Sequence, residues 1–322
     1  MHSPNVQLIK YRIPNNLLFL AGNIFEYPRI DTLIGGAYVF FSPHFFLVPL
    51  SKTCRRVTTF HDLSYLRFPE FFTWRKRWWH TVEMNPAHQA RFSNQIIAVS
   101  ESTKTDLIDY YQIDPANISI VHSGTSMSHP TNEVIAQFKN RHQLPSRFIL
   151  HVGTLEPRKN IIGLVRAFNI LKTQAGYEDV ELILIGKEGW QFKNIFEETK
   201  KSPYKSQIRH LGHVGGDLTA YYSLAIVCVC PSFFEGFGFP ALEAMVCGTP
   251  VIASANSSLP EVVGEAGIFI NPYDVSEIAE ALGIVLSEPA IRDRMSKNGL
   301  IQASKFTWKE TARKTLDIIT RD

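Results

Sequence analysis

The sequence predicts an α/β protein built from two doubly wound, Rossmann-like domains that face each other across a cleft. Its 322 residues are too many for one typical domain and suit two. Short apolar runs alternate with amphipathic segments along most of the chain, which is typical of parallel sheets covered by helices. Glycine-rich and polar motifs come directly after the apolar runs, at the sheet edge where such domains bind ligands.

Residues 1–140 are predicted to form the first domain. The runs at 36–43, 56–62, 95–100 and 118–124 are typical of buried strands. One helix is predicted over 74–92, and another over 100–111 with Ser100 as its N-cap. The segment from Thr125 to Ser146 contains Pro130 and Pro145 and is the predicted linker, with a short helix near 133–140.

Residues 141–322 are predicted to form the second domain. Its strands are predicted at 148–153, 180–186, 208–213, 225–231, 250–254 and 267–270. A helix is predicted over 160–173, because one face carries Ile161, Leu164, Val165, Phe168 and Leu171. Further helices follow, and the last of them is expected to pack back on the first domain.

Charge and composition exclude several classes of protein. The net charge of +3 is too small to indicate a nucleic-acid-binding protein. The apolar segment 37–50 is interrupted by Pro43 and Pro49 and is too short to span a bilayer. The cysteines have no zinc-ligand spacing, and we expect buried free thiols in a cytoplasmic protein: Cys54, Cys228, Cys230 and Cys247.

The stretch HVGTLEPRKN (151–160) has the features of an anion-binding loop. A glycine turn leads to Arg158 and Lys159, and a helix is expected to begin near Asn160. The free N–H groups and the partial positive charge of a helix N-terminus attract anions, and arginine adds a planar fork of donors. A solvated loop with two surface cations is the alternative interpretation.

The stretch FFEGFGFPALEAM (233–245) places two carboxylates around a flexible loop. Glycines let backbone N–H groups approach a ligand closely, and carboxylates accept hydrogen bonds from hydroxyl groups. Glu235 and Glu243 therefore suit a neutral polyhydroxy ligand, and would suit an anion only if cations offset them. The alternatives are a helix-dipole role for Glu243 and a surface position for Glu235.

The segment EGFGFPALE resembles the E-x7-E signature of the large GT4 family of retaining glycosyltransferases, which have the GT-B fold. GTLEPRKN is similar to the diphosphate-binding loop of that family. The resemblance extends from about Gly36 to the end of the chain and includes AVSESTKTDLIDYY, FHDLSYLRFPEFF and GTPVIASANSSLPEVVGEAGIFINP. It implies transfer of a hexose from a nucleotide-diphosphate sugar to a glycan or lipid-linked acceptor in cell-surface polysaccharide synthesis, with retention at the anomeric carbon.

The resemblance also implies that residues 1–140 form the acceptor-side domain and residues 141–322 the nucleotide-sugar-binding domain. It further implies roles for individual residues. Glu235 would hold hydroxyls of the donor sugar and Glu243 the ribose, while His61 would lie beside the transferred sugar. The implied catalytic residues are His61, Arg158, Lys159 and Glu235. The implied donor-binding residues are Gly153, Thr154, His213, Val214, Gly236, Phe237, Gly238, Phe239 and Glu243.

Similarity to bacterial mannosyltransferases favours GDP-mannose as the donor, with glucose or another hexose as alternatives. No D-x-D motif occurs in the chain, so no metal and no further cofactor are expected. Charge that develops on the leaving diphosphate would be met by Arg158, Lys159 and helix N-termini.

Two departures from the family pattern leave other functions open. Thr154 stands where many relatives carry arginine, and Gly35 and Gly36 precede a strand instead of following a leading one. We therefore expect the first domain to be incomplete. A truncated GT-B protein that binds nucleotide sugar without transfer, or a sugar-nucleotide epimerase or phosphorylase, is the alternative.

The segment FTWRKRWWH (72–80) interleaves cations with tryptophans: Trp74, Arg75, Lys76, Arg77, Trp78 and Trp79. This composition suits peripheral contact with an anionic membrane surface, which would place the protein at the inner face of the membrane. A helix with one buried aromatic face and one solvated basic face is the alternative.

Overall fold

The computed structural model describes residues 6–12, 14, 21–22, 25, 27–45 and 49–321. In these ranges the chain forms two parallel β-sheets flanked by helices. The α/β class and the pair of Rossmann-like domains predicted from the sequence are confirmed. The expected lack of a leading strand concerns residues ahead of Gly35, and most of residues 1–26 lie outside the described ranges.

The first sheet has four parallel strands among the described residues, in the order β1-β2-β3-β4. The strands are β1 (Val39–Ser42), β2 (Arg55–Phe60), β3 (Gln95–Ala98) and β4 (Ile118–Ile120). The helices are α1 (Ile30–Leu33), α2 (Ser64–Arg67), α3 (Trp74–Trp78), α4 (Pro86–Phe92) and α5 (Glu101–Tyr111). The hydroxyl of Ser100 caps α5 as predicted, because it accepts the N–H of Thr103 at 3.1 Å.

Helix α6 (Asn132–His142) lies in the predicted linker and leads into the second sheet, whose order is β10-β9-β8-β5-β6-β7. The strands are β5 (Arg147–Val152), β6 (Val180–Ile185), β7 (Ile208–His210), β8 (Val227–Cys230), β9 (Val251–Ser254) and β10 (Ile268–Ile270). The helices are α7 (Ile161–Lys172), α8 (Lys193–Lys201), α9 (Leu218–Leu224), α10 (Phe239–Val246), α11 (Leu259–Val263), α12 (Val275–Ser287), α13 (Pro289–Ala303) and α14 (Trp308–Thr320).

The prediction of a single helix over residues 74–92 is wrong, because the helix is interrupted at Asn85. Helix α3 continues into a π-helical turn, Trp79–Glu83, and α4 begins at Pro86. Proline disfavours the α conformation in the residue before it, and Asn85 has a left-handed φ of 39°. Its side chain caps α4 by accepting the N–H of His88 at 3.3 Å. Pro86 was therefore the sequence signal for this break.

The second sheet is buried between two apolar layers, as its continuous apolar strands predict. Helix α7 covers one face with the predicted stripe of Ile161, Leu164, Val165, Phe168 and Leu171, each 0–1% exposed. Helices α9, α10 and α11 cover the other face. Because both faces are covered, ligands reach this sheet at its edge, beyond the carboxyl ends of the strands.

The last helix of the described chain packs on the first sheet. Ile318 of α14 is buried with Val57, Ile97 and Val121. The guanidinium of Arg55 donates hydrogen bonds to the carbonyls of Ile318 at 3.1 Å and Ile319 at 3.2 Å. These contacts hold α14 on the first domain, although the preceding helix, α13, belongs to the second.

The chain therefore passes twice between the domains, and the two passages touch. Thr125, after β4, pairs with Thr307, before α14, in an isolated parallel bridge. A Cβ atom added at Gly124 would lie 2.1 Å from the backbone nitrogen of Trp308. Only glycine fits at this close approach.

All four cysteines are free and buried, as predicted. Within the described ranges, no helix is both long and apolar enough to cross a bilayer.

Candidate active site

A cavity of about 350 Å³ lies between the two domains, at the carboxyl ends of β5 and β8. His61, Asp62, Val99 and Ser123 line it from the first domain. The predicted site residues that line it are His61, Gly153, Thr154, Arg158, Lys159, Glu235, Gly236, Phe237, Gly238 and Phe239. The structure thus brings together ten of the thirteen predicted residues.

Glu235 is buried in the loop after β8 and is held by two cations and a hydroxyl. The Oε1 atom accepts hydrogen bonds from Lys159 Nζ at 2.6 Å and Ser232 Oγ at 2.7 Å. The Oε2 atom lies 3.6 Å from Arg158 Nη1. Burial would raise the pKa of Glu235, but Lys159 and Arg158 together lower it to about 2. The carboxylate is therefore ionised at neutral pH, and the alternative of a surface acid is excluded.

Arg158 and Lys159 are cations of the 3-10 turn Pro157–Lys159, where Lys159 is buried and the Arg158 side chain is 14% exposed. The Arg158 guanidinium donates to Glu156 Oε1 at 2.9 Å and to the carbonyl of Phe234 at 3.1 Å. Burial would lower the pKa of Arg158, but Glu235, Asp62 and Glu156 raise it above its usual range. The alternative of two solvated surface cations is therefore wrong.

The loop that carries Glu235 touches the first domain closely at Gly236. A Cβ atom added there would lie 2.2 Å from the carbonyl oxygen of His61 and 2.9 Å from Asp62 Cβ. The carbonyl of Gly236 accepts a hydrogen bond from Ser100 Oγ at 2.7 Å. This contact between the domains requires a residue without a side chain.

Helix α10, and not α7, directs its N-terminus at this cavity. Phe239 and Pro240 of α10 line it, and Gly238 makes the entry turn with φ 106°. The N-terminus of α7 was predicted to help hold an anion here. It lines a different cavity, and the side chain of Asn160 already accepts its Gly163 N–H at 3.3 Å. The 3-10 turn Pro157–Lys159 separates Lys159 from α7, which begins at Ile161.

His61 lies at the first-domain wall of the cavity, at the end of β2. Its Nε2 atom donates to the carbonyl of Pro43 at 2.9 Å, since a carbonyl oxygen can only accept. The rings of His61 and His44 are 5.4 Å apart. Burial, followed by the proximity of His61, lowers the pKa of His44.

The other three predicted residues lie outside this cavity. Glu243 is in the second turn of α10 and accepts a hydrogen bond from the buried hydroxyl of Tyr222 at 2.9 Å. Burial raises the pKa of Glu243, and the bond from Tyr222 opposes that rise. His213 is exposed after β7, while Val214 packs against the core.

Several residues that shape the site were not assigned roles from the sequence. Ser232 contacts the Glu235 side chain, and Ser257 Oγ and Ser258 Oγ bond its backbone N–H and carbonyl at 3.0 and 2.9 Å. Glu156 and Asp62 lie inside quoted motifs, so their position was a signal that could have been used. Ser257 and Ser258 likewise lie inside the stretch GTPVIASANSSLPEVVGEAGIFINP, which carries part of the resemblance.

His151, in β5 at the start of the HVGTLEPRKN stretch, is a buried, neutral imidazole. Its Nδ1 atom donates to the carbonyl of Val229 at 2.9 Å. Burial lowers the pKa of His151 to about 4. No hydrogen-bond partner is found for its Nε2 atom among the described residues.

No group of three or more His, Cys, Asp or Glu side chains that could hold a metal ion is found in the described ranges.

Two family models together match most of the chain. The model described as glycosyl transferases group 1 matches residues 132–301. The model described as Glycosyltransferase Family 4 matches residues 5–129.

Two curated relatives are mannosyltransferases of Escherichia coli. The O-antigen chain mannosyltransferase B is 32% identical over 286 residues, which cover 87% of this chain and 73% of the relative. The serotype-specific mannosyltransferase WbdA is 30% identical over 244 residues, which cover 74% of this chain but only 30% of that relative.

Solved structures share the fold. Sucrose-phosphate synthase from Thermosynechococcus elongatus has a TM-score of 0.76 at 23% identity, and the match covers 99% of this chain and 84% of that one. Anabaena HepE, solved with UDP and glucose, has a TM-score of 0.72 at 16% identity, and the match covers 91% of this chain and 80% of the HepE chain. These likenesses confirm the GT-B fold. Because the group 1 model also matches more than half of the residues, the chain belongs to the glycosyl transferases of group 1 and is a glycosyltransferase.

Proposed function

We propose that this glycosyltransferase moves mannose from GDP-mannose to a glycan or lipid-linked acceptor, with retention of configuration at the anomeric carbon. The chain is a hexose-transferring glycosyltransferase of polysaccharide synthesis. The choice of mannose is supported by the two Escherichia coli relatives, both of which are named mannosyltransferases.

One observation carries the proposed chemistry: Glu235, Lys159 and Arg158 form a buried ionic cluster at the wall of the cavity. With Glu156, which pairs with Arg158 at 2.8 Å, the cluster has two cations and two anions. A diphosphate entering the cavity attracts the cations, because phosphate oxygens form strong charge-assisted hydrogen bonds. The oxygens of Glu235 then accept hydrogen bonds from hydroxyls of a neutral hexose.

The same cluster indicates how the reaction proceeds. A carboxylate nucleophile needs an oxygen free to attack the anomeric carbon. Both oxygens of Glu235 are directed at cations, so its arrangement suits hydrogen bonding better than attack. We therefore propose front-side substitution, in which the departing phosphate accepts the proton of the acceptor hydroxyl. Lys159, Arg158 and the α10 N-terminus stabilise the charge that grows on that phosphate.

The proposal is tested with purified protein, GDP-mannose and octyl α-mannoside as a probe acceptor. We expect a new α-linked mannoside, identified by mass spectrometry and by its anomeric NMR signals, and much less product from UDP-glucose. A β-linked product would contradict retention. Nucleotide-sugar isomers without any new glycoside would show an epimerase, and binding of GDP-mannose without a product would show a protein that does not transfer.

The proposed reaction needs no divalent metal, because Arg158 and Lys159 supply the positive charge. In the same assay, we expect the initial rate to be unchanged by excess EDTA. A rate abolished by EDTA and restored by manganese would disprove this part of the proposal.

We also propose that α3 brings the protein to the inner face of the membrane from the cytoplasm. The tryptophans of this region are exposed, with Trp74 at 76% and Trp78 at 51%. The alternative of a buried aromatic face is therefore wrong. Arg75 and Arg77 are exposed on the same helix, and cations together with interfacial tryptophans suit anionic lipid. The buried free cysteines are in keeping with a reducing compartment.

Membrane contact is tested by flotation with phosphatidylglycerol-containing vesicles. We expect the double substitution Trp74→Ala and Trp78→Ala to weaken vesicle binding by about tenfold or more, since two apolar anchors are lost. Trp308→Ala is the matched control, because Trp308 is 47% exposed on α14. Equal flotation of all three proteins would contradict the assignment.

A further inference from the structure

A second cavity lies on the other side of the Pro157–Lys159 turn. Its volume is about 450 Å³, which is within the range of small-molecule sites. Glu70 and Phe71 contribute to it from the first domain, and the rest of its lining comes from the second. Glu156 lines both this cavity and the candidate active site. The two cavities are thus neighbours at the same edge of the second sheet.

One wall of the second cavity is a row of aromatic rings. The ring of Phe233 lies 5.3 Å from that of Phe71 in a stacked arrangement and 4.8 Å from that of Tyr273. Tyr273 is 66% exposed. Trp190 holds Phe71 in place, because its indole N–H donates to the Phe71 carbonyl while its ring stacks on Phe72 at 5.2 Å. The Phe71 end of the aromatic row is therefore held before a ligand arrives, which lowers the cost of ordering it on binding.

Polar side chains complete the lining opposite and beside the rings. Gln191 and Asn194 are exposed amides, and Glu70 is an exposed carboxylate. An amide supplies both donors and an acceptor, and a carboxylate supplies acceptors. This combination matches a ligand that has apolar C–H faces and hydroxyl groups around its edge.

The charges in the second cavity disfavour an anionic ligand. Arg166 is bound to Glu198 by two hydrogen bonds, of 2.7 and 3.1 Å. Asn160 caps α7 and also donates to the carbonyl of Pro272 at 2.7 Å. Glu70 and Glu156 add negative charge to the lining. Phosphate groups and nucleotides are therefore poorly suited, whereas a neutral ligand meets no opposing charge.

We infer that the second cavity is a subsite for a neutral hexose unit of the glycan acceptor. The hexose lies with a C–H face against Tyr273 and Phe233, and its hydroxyls bond Gln191, Asn194 and Glu70. The inference rests on the proposed function in that a glycan is the acceptor. The subsite adjoins the active-site cavity but is separate from it. The hexose that it binds is therefore a different unit of the acceptor from the one whose hydroxyl receives the new sugar.

The subsite is tested by calorimetric titration of the full chain with α-linked mannotriose in the presence of GDP. We expect Tyr273→Ala to weaken mannotriose binding by about tenfold, because one aromatic contact is removed. Asn194→Ala should weaken it less, through loss of a hydrogen bond. Tyr38→Ala is the matched control, since Tyr38 is 93% exposed on the first domain. The affinity for GDP, measured in parallel, reports whether each variant is folded.

The titration separates this inference from the proposed transfer reaction. Weaker mannotriose binding by Tyr273→Ala, with GDP affinity and the Tyr38→Ala control unchanged, supports the subsite even if mannose transfer fails. Equal mannotriose affinity in Tyr273→Ala, Asn194→Ala and wild type overturns it. A wild-type chain that transfers mannose but shows no measurable affinity for mannotriose overturns it as well.

Discussion

Lys159→Ala is expected to lower kcat by about two to three orders of magnitude, the cost of losing one preorganised charge-stabilising group. Lys159 is 8% exposed and 2.6 Å from the Glu235 carboxylate, so its charge acts in a setting with little water. Its stabilisation of the leaving diphosphate increases as negative charge grows in the transition state. We expect KM for GDP-mannose to change less than kcat, in steady-state measurements of transfer.

Glu243→Gln is the comparison for this experiment. Glu243 is bound to Tyr222 and lies outside the active-site cavity, so a ribose contact there would be similar in the ground and transition states. We expect this variant to raise KM with a smaller loss of kcat. Lys159→Arg keeps the charge and should recover part of the rate. Equal losses of kcat in Lys159→Ala and Glu243→Gln, with unchanged donor affinity in both, would contradict the role of Lys159.

Gly236→Ala is expected to lower kcat/KM by about a hundredfold, as displacements near 1 Å do in preorganised sites. The new methyl group would meet the His61 carbonyl at 2.2 Å and Asp62 Cβ at 2.9 Å, so the two domains must separate locally. That separation moves His61 away from Glu235 and admits water. GDP binding should change little, because the donor loops of the second domain stay intact.

Gly283→Ala controls for the loss of a glycine elsewhere. Its added Cβ would make only ordinary contacts, the nearest at 3.7 Å to the Tyr177 hydroxyl, and it lies in the middle of α12. We expect normal transfer from this variant. If Gly236→Ala retained full activity, the contact between His61 and the Glu235 loop would not be needed for the reaction.

The strands and most helices were predictable because each depends on local periodicity. β5 and α7 illustrate this, since their apolar residues alone determine which faces are buried. The helix break at Asn85 was also predictable in principle, because Pro86 restricts the residue before it.

The active site was only partly predictable, because its energetics depend on contacts between distant residues. Lys159 and Glu235 were each expected to face the ligand, yet they are 76 residues apart and pair with each other. A 3-10 turn precedes α7, and the first residues of α7 line the second cavity, which the spacing of the sequence does not show. The aromatic row of Phe71, Phe233 and Tyr273 assembles from three loops and has no linear motif.

The two chain passages that touch at Thr125 and Thr307 have a mechanical consequence. A single connecting segment would allow one domain to rotate about the backbone bonds of that segment. Two connecting segments side by side resist this rotation. We expect the remaining freedom to be an opening and closing about an axis near the bridge. Such a motion changes the width of the cleft while it conserves the alignment of its two walls, so His61 returns to the same place opposite Glu235 in each catalytic cycle.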